Sequence, residues 1–394
     1  MSLFEKCFNY TRAEEVKQMG MYPYFTPIQK VRGNKVRVEG KKMIMVGSNN
    51  YLGLIEHPRV KKAARKAITR YGVATCGSRF LNGTLDIHVE LEKKLANFLK
   101  REEALVFSTG YQANLGIIST LTGKGDAVFT DRMDHASIVD ACRLSFSSVF
   151  KFRHNDMDHL EQQLASVDEK TGKLIVVDGV FSMEGDLANL PEIVRVAKLY
   201  NANIMVDDAH GIGVLGENGR GTPEHFGLEE DVDILMGTFS KSFASLGGYV
   251  AGSKKNIQYI KHHARSLIFS ASMTPSSVAT VLATLEIIET EPERRERLWR
   301  NTRMMKNGFE EMGFNTGQTK TPIVPVIIGN DEQTFALWKM LRNDGVFANP
   351  VVYPAVPKNQ SLIRTSYSAS HTDVELRRIL NAFRKSGKKL NLLK

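Results

Sequence analysis

The chain has 394 residues, 42% hydrophobic and 24% charged, the balance of a soluble globular protein long enough for more than one domain. No apolar run reaches the ~18 residues of a membrane span. Residues 1–15 lack the basic segment and apolar core of a secretory signal. Three unclustered cysteines (Cys7, Cys76, Cys142) speak against a disulfide framework and a zinc site and fit a reduced, cytoplasmic setting. The formal charge of +10 asks for an acidic partner, anionic lipid or a polyanionic small molecule, or else marks a generally basic surface. Without zinc-finger spacing or an arginine-rich arm, nucleic acid is not expected.

Residues 1–48 read as a separate N-terminal segment. A polar helix near 11–19 leads to Pro23 and Pro27, then to two short strands carrying Val36, Val38, Met43 and Met45. Residues 49–280 alternate apolar strands with helices. The pattern predicts strands at 104–108, 127–130, 148–152, 174–178, 203–206, 234–237 and 248–251, with helices at 57–71, 88–98, 160–165 and 190–200 among them. Short buried strands alternating with helices predict an α/β domain, a mostly parallel central sheet with helices on both faces. Ligands of such sheets sit beyond the carboxyl ends of the strands, where His135, Ser182, Asp207, His210 and Lys241 fall. Residues 281–394 read as a smaller C-terminal α+β domain. A long helical stretch runs from Pro275 to Met312, then come a strand at 323–328, a helix at 334–344, a Pro-punctuated segment at 350–357, a strand at 362–367 and a helix at 373–386. The basic tail 385–394 is expected to fray.

The chemistry is concentrated at Lys241, in Gly237-Thr238-Phe239-Ser240-Lys241-Ser242, 34 positions after Asp207 of Val206-Asp207-Asp208-Ala209-His210. A lysine framed by hydroxyls, after an acid that ends an apolar run and a histidine three residues on, suggests a pyridoxal phosphate enzyme. Such enzymes hold the aldehyde as a Schiff base on a lysine, and an acid keeps the pyridine nitrogen protonated, which makes the ring an electron sink. Asp208 is the rival carboxylate. Gly110 and Tyr111 open a predicted helix after a strand, and backbone N–H groups there bind phosphate; a plain strand-to-helix turn uses glycine as well. Thr238 and Ser240 would add hydroxyl donors, and Ser182, before Met183-Glu184-Gly185, could be a site residue or simple turn chemistry. In Asp134-His135-Ala136-Ser137, Asp134 reads as a helix cap. Arg364, in an apolar strand, is costly to bury unpaired and suits bidentate grip of a carboxylate.

Three stretches carry a resemblance over nearly the whole chain: Ser48-Asn49-Asn50-Tyr51-Leu52-Gly53-Leu54, the run from Asp207 to Gly221, and Phe269-Ser270-Ala271-Ser272-Met273-Thr274-Pro275. On them the chain resembles the α-oxoamine synthases, fold-type I pyridoxal phosphate enzymes that condense an amino acid with an acyl thioester and lose CO2. Residues 75–84 (Thr75 to Thr84), the Ser240-Lys241 pair where relatives carry glycine before the lysine, and Ser245-Leu246-Gly247-Gly248-Tyr249 make it most similar to the soluble bacterial serine palmitoyltransferases.

The resemblance implies that Lys241 carries the cofactor and moves the α-proton, that Asp207 pairs with the ring nitrogen, and that His210 bonds the phenolic oxygen. It also implies that His135 stacks on the ring and contacts the substrate carboxylate, and that Arg364 with Asn50 (Asn49 is the adjacent alternative) holds that carboxylate. Ser270 and Ala271 would reach the phosphate of the other subunit, so a homodimer is implied; Ser272 and Thr274 could equally cap the helix after Pro275. The implied reaction joins L-serine to a long-chain acyl-CoA, palmitoyl-CoA, giving 3-oxosphinganine, the first step of sphingolipid biosynthesis. The alternatives are 2-amino-3-ketobutyrate CoA ligase, with glycine and acetyl-CoA, and a non-catalytic scaffold on the same fold, which the presence of Lys241 disfavours. The basic tail would give weak peripheral contact with an anionic membrane.

Overall fold

The computed structural model describes residues 2–393. Its centre is a seven-stranded sheet in the order Glu103–Phe107, Gly248–Gly252, Ile234–Thr238, Asn203–Asp207, Lys173–Asp178, Ala127–Asp131, Ser148–Phe152. The last five strands pair in parallel. Gly248–Gly252 runs antiparallel to both of its neighbours. The sheet is therefore mostly parallel, as expected, with one reversed strand.

Side chains alternate between two apolar layers. Ile204 and Val206 face one with Ile175 and Val177, and Met205 faces the other with Leu174 and Val176. Burial on both faces is why these strands read as unbroken apolar runs rather than as alternating ones. Helices cover both layers, as expected of a mostly parallel α/β sheet.

The ends of the chain depart from the expected division. The strands Lys30–Arg32, Lys35–Val38 and Lys41–Met45 form a sheet completed by Val346–Phe347 from the far end of the chain. Ile44 and Val46 share one core with Met305, Phe309 and Leu337, so this segment packs with the C-terminal part of the chain instead of standing apart. The predicted helix from Pro275 to Met312 is two helices, Pro275–Thr290 and Glu293–Glu311. Pro292, at the N-cap of the second, has no N–H to continue the first. Val278, Val281, Leu285 and Leu298 belong to the core on one face of the central sheet.

The C-terminal part of the chain holds an antiparallel sheet of Ile323–Gly329, Ser361–Ser366 and Asn349–Val351. Its last helix, Asp373–Lys389, starts at a capping box of Thr372 and Glu375. The expected fraying does not occur within the described residues, because Leu390, Leu392 and Leu393 pack back on the core. Among the described residues no helix is long and apolar enough to cross a membrane.

Candidate active site

The parallel strands deliver polar residues to one end of the sheet, where a cavity of about 330 Å³ opens. Asp207 closes the strand Asn203–Asp207 and is buried at the cavity wall. Its Oδ2 accepts from Asn114 Nδ2 at 2.7 Å and its Oδ1 from the Ala209 amide at 3.1 Å. Asp208 turns to the opposite side, as the two-residue period requires. There it accepts from Thr222 N at 2.7 Å and Thr222 Oγ1 at 2.6 Å. Complete burial pushes the Asp208 carboxyl up to about 7. Only Asp207 of the pair lines the cavity.

Lys241 follows the strand Ile234–Thr238 and points into the same cavity. Burial lowers its amine to about 8, against the opposing pull of Asp207 and Asp178. His210 lies with Nδ1 2.7 Å from the Tyr51 hydroxyl. Burial, then the charges of Lys241 and Arg364, hold its imidazole well below the usual range, so it is neutral. Burial also pushes the Tyr51 phenol up to about 12, so Tyr51 keeps its proton.

His135 is itself the N-cap of the helix Ala136–Ser145, its ring accepting from the Ser137 amide. Asp134, expected to be the cap, instead accepts from the Asp131 and Asp178 amides at 2.8 and 2.9 Å, tying two strand ends together. Asn114 Nδ2 also donates to Ser137 Oγ at 2.8 Å, and Ser137 Oγ lies 2.8 Å from His135 Nδ1. Asn114 must present its NH2 to Asp207, since a carboxylate only accepts. Ser137 then donates to Nδ1, and the His135 proton resides on Nε2. Burial lowers the His135 pKa as well, Asp207 and Lys241 pulling in opposite directions.

Gly110 is the first residue of the helix Gly110–Leu121, capped by Thr109, whose hydroxyl accepts from Gln112 N at 3.1 Å. The amides of Gly110 and Tyr111 have no helical acceptor, as at any helix start. A Cβ at Gly110 would lie 2.8 Å from Thr238 Oγ1. Thr238 Oγ1 is 3.0 Å from Ser240 Oγ and donates to the Gly247 carbonyl at 3.0 Å. Free amides, the Ser240 hydroxyl, the Thr238 hydroxyl once it turns from the Gly247 carbonyl, and a glycine-sized gap together form a cradle that fits a phosphate. The Tyr111 ring stands edge-on to His135, with centroids 6.5 Å apart.

Arg364 is buried in the strand Ser361–Ser366. Its Nε donates to the Ser182 carbonyl at 2.6 Å and its Nη2 to Asn49 Oδ1 at 3.0 Å. Ser182 lines the cavity. Among the described residues no carboxylate pairs with Arg364, so a buried guanidinium stands ready for an acidic ligand. Asn49, not Asn50, touches this arginine. Asn50 uses Oδ1 to accept from Leu54 N at 3.1 Å and lines a different cavity. Ser270 and Ala271 do not line this chain's own cavity. Ser270 Oγ accepts from Gln112 Nε2 at 2.9 Å, and the Ala271 carbonyl accepts from the Ser108 hydroxyl.

Sequence reasoning passed over Asp178, Asn114 and Tyr51. Asp178 is buried at the cavity wall and accepts from the His135 amide at 3.0 Å. Burial and then Asp207 raise its carboxyl well above the usual range. An acid ending the apolar run at Val177-Asp178 repeats the pattern at Val206-Asp207 and was the available signal.

The set fits pyridoxal phosphate on its donor chemistry. A carboxylate at the base suits a pyridine nitrogen, an amine suits an aldehyde, an imidazole can lie over a ring, and the cradle suits the phosphate.

A sequence model of the family described as aminotransferase class I and II matches residues 41–383. The chain is 55% identical to a serine palmitoyltransferase of Sphingobacterium spiritivorum, over 94% of this chain and 93% of that one. It is 43% identical to an 8-amino-7-oxononanoate synthase of Thermoanaerobacter pseudethanolicus over the full length of both. A solved variant of the serine palmitoyltransferase from S. paucimobilis, with a pyridoxal phosphate–myriocin aldimine bound, superposes with a TM-score of 0.97 at 37% identity, covering 100% of both chains. The chain belongs to the aminotransferase class I and II family of pyridoxal phosphate enzymes, within the α-oxoamine synthase branch that includes the bacterial serine palmitoyltransferases.

Proposed function

We propose that the protein condenses L-serine with a long-chain acyl-CoA, palmitoyl-CoA, releasing CoA thiol and CO2 and giving 3-oxosphinganine. One observation carries this reading. A buried guanidinium without a carboxylate partner, Arg364, stands beside the cavity of Lys241 and Asp207 in a chain 55% identical to a serine palmitoyltransferase. Bound in the cavity, pyridoxal phosphate supplies an electron sink for charge developing at the substrate Cα.

The protein groups do the rest. Asp207, braced by Asn114, offers its carboxylate to the ring nitrogen, and His210 offers a hydrogen bond to the phenolic oxygen. The Gly110 and Tyr111 amides, Thr238 and Ser240 hold the phosphate, joined by Ser270 and Ala271 of a second copy. Arg364 and the Nε2–H of His135 hold the serine carboxylate, which sets the Cα bond that breaks. Lys241 would hold the aldehyde in the resting enzyme, and with serine bound its amine would take the α-proton; an amine near 8 suits that work close to neutral pH. The Cα electron pair forms the new bond to the acyl carbon, the C–S bond breaks and the thiolate leaves. Loss of the carboxylate as CO2 and return of a proton to Cα complete the reaction.

The test is thiol release from palmitoyl-CoA with L-serine, glycine or L-alanine. L-Serine should have by far the highest kcat/KM. A preference for glycine would point to the 2-amino-3-ketobutyrate ligase type, and one for L-alanine to another member of the family. Either would refute the proposal.

A homodimer with shared sites also follows from the roles of Ser270 and Ala271, and a fully active monomer in sedimentation would refute it. Work in the cytoplasm, with weak attachment to anionic membranes through Lys385, Lys388 and Lys389, fits the basic balance at roughly 1 kcal/mol per basic residue near the surface. Failure to co-sediment with anionic vesicles at low salt would leave this charge only the role of attracting CoA.

A further inference from the structure

The grip of Arg364 depends on the Ser182 carbonyl, and Ser182 belongs to a short hairpin closed by a bridge between Val180 and Leu187. Two further bonds shape it: Phe181 N donates to the Asp186 carbonyl at 3.1 Å, and Gly185 N to the Phe181 carbonyl at 2.9 Å. The hairpin is also where the two domains meet. The Gly185 carbonyl accepts from Lys320 N at 3.0 Å, Thr321 Oγ1 at 2.9 Å and Thr319 Oγ1 at 3.2 Å. With φ at +73°, Gly185 holds a turn that other residues rarely adopt.

At the root of this hairpin lies His154. Its Nδ1 is 3.0 Å from Asp131 Oδ1, at the end of the strand Ala127–Asp131, and its Nε2 is 2.8 Å from Asp186 Oδ2, on the hairpin. The ring stands edge-on against Phe181, centroids 4.4 Å apart. Asn155 adds a second tie, donating from Nδ2 to the Leu187 carbonyl at 3.0 Å. Two carboxylates on the two ring nitrogens require both nitrogens to donate, so the imidazole is held as a cation. Burial alone would lower its pKa, but the bonds to Asp131 and Asp186 raise it to about 10.

We infer that His154 is a positioning residue for the substrate carboxylate: clamped between Asp131 and Asp186, it fixes the hairpin that presents the Ser182 carbonyl to Arg364. The inference deepens the proposed function and rests on Arg364 being the carboxylate grip. His154 does not line the cofactor cavity, so it acts through the hairpin.

Two variants test it. His154→Gln removes the doubly donating ring, and Asp186→Asn leaves the ring on Asp131 but weakens its hold on the hairpin. In the cofactor-loaded protein, L-serine binding is read from the cofactor absorbance. Each variant should weaken it about tenfold, the loss expected when one charge-assisted hydrogen bond is weakened, while the KM for palmitoyl-CoA stays within about twofold. In the protein without cofactor, the Phe181 and Gly185 amides should exchange with solvent about tenfold faster, with the central sheet unchanged. A purely structural role would instead raise both KM values and lower the melting temperature together. Unchanged serine affinity in both variants, or unchanged exchange at the hairpin, overturns the inference. Failure of the proposed reaction would appear in the parent protein's products, whereas failure of this inference appears in the ratio of variant to parent affinity.

Discussion

Replacing Arg364 by lysine tests the carboxylate grip. In the structure Nε and Nη2 are engaged by the Ser182 carbonyl and Asn49 Oδ1, which leaves Nη1 and the second hydrogen of Nη2 for a ligand. A lysine ammonium keeps the charge but not the planar fork, so it cannot hold both protein acceptors and still meet a carboxylate with two parallel bonds. Losing one charge-assisted bond costs about 1.5–3 kcal/mol, or roughly 10- to 150-fold in affinity. Thiol release with L-serine varied at saturating palmitoyl-CoA should show the serine KM rising by that factor. The thioester KM and the bound cofactor should change little. A serine KM within about threefold of the parent, less than the smallest loss a charged hydrogen bond brings, would refute the reasoning. So would an equal rise in both KM values.

Lys241→Ala should abolish turnover while the protein still folds and takes up cofactor. Borohydride reduction should tag the Lys241 peptide of the parent and nothing in the variant; multiple turnovers by the purified variant would refute the assignment. Because burial brings the Lys241 amine down to about 8, its neutral form grows as pH rises through that value. Covalent capture of cofactor by the free protein should therefore accelerate from about pH 6.5 and level off above about pH 8; a rise continuing toward pH 10, as for an ordinary lysine, would contradict the buried setting. Gly110→Ala would press a methyl to 2.8 Å from Thr238 Oγ1. Overpacking of about 1–3 kcal/mol should weaken pyridoxal phosphate several-fold or more, and pyridoxal, which lacks the phosphate, less; equal losses for both would remove the phosphate role.

Much of the fold was legible because its forces are local. Strands such as Asn203–Asp207 are buried on both faces and read as apolar runs, and Asp207, His210 and Lys241 stand in short distinctive stretches. What escaped depends on distant segments meeting. Asn114 reaches Asp207 across 93 residues, and nothing near either one announces the bond. The pairing of Ile44 with Val346 joins the two ends of the chain and has no local sign. The choice between Asn49 and Asn50 turns on one step of backbone direction, which only the packed turn fixes. The helix expected to run through Pro292 was a misreading of a local signal, since proline removes the amide that continuity needs. The charge of the tail hides the role of Leu390, Leu392 and Leu393, which carry the apolar contacts that hold it down.

The central claim is the reaction itself. The purified protein, loaded with pyridoxal phosphate, should be given L-serine labelled at the carboxyl carbon together with palmitoyl-CoA, and both products followed by mass spectrometry. The account predicts labelled CO2 and unlabelled 3-oxosphinganine in equal amounts, each matched by one free thiol. Thiol release without labelled CO2, or a product that retains the label, would contradict it.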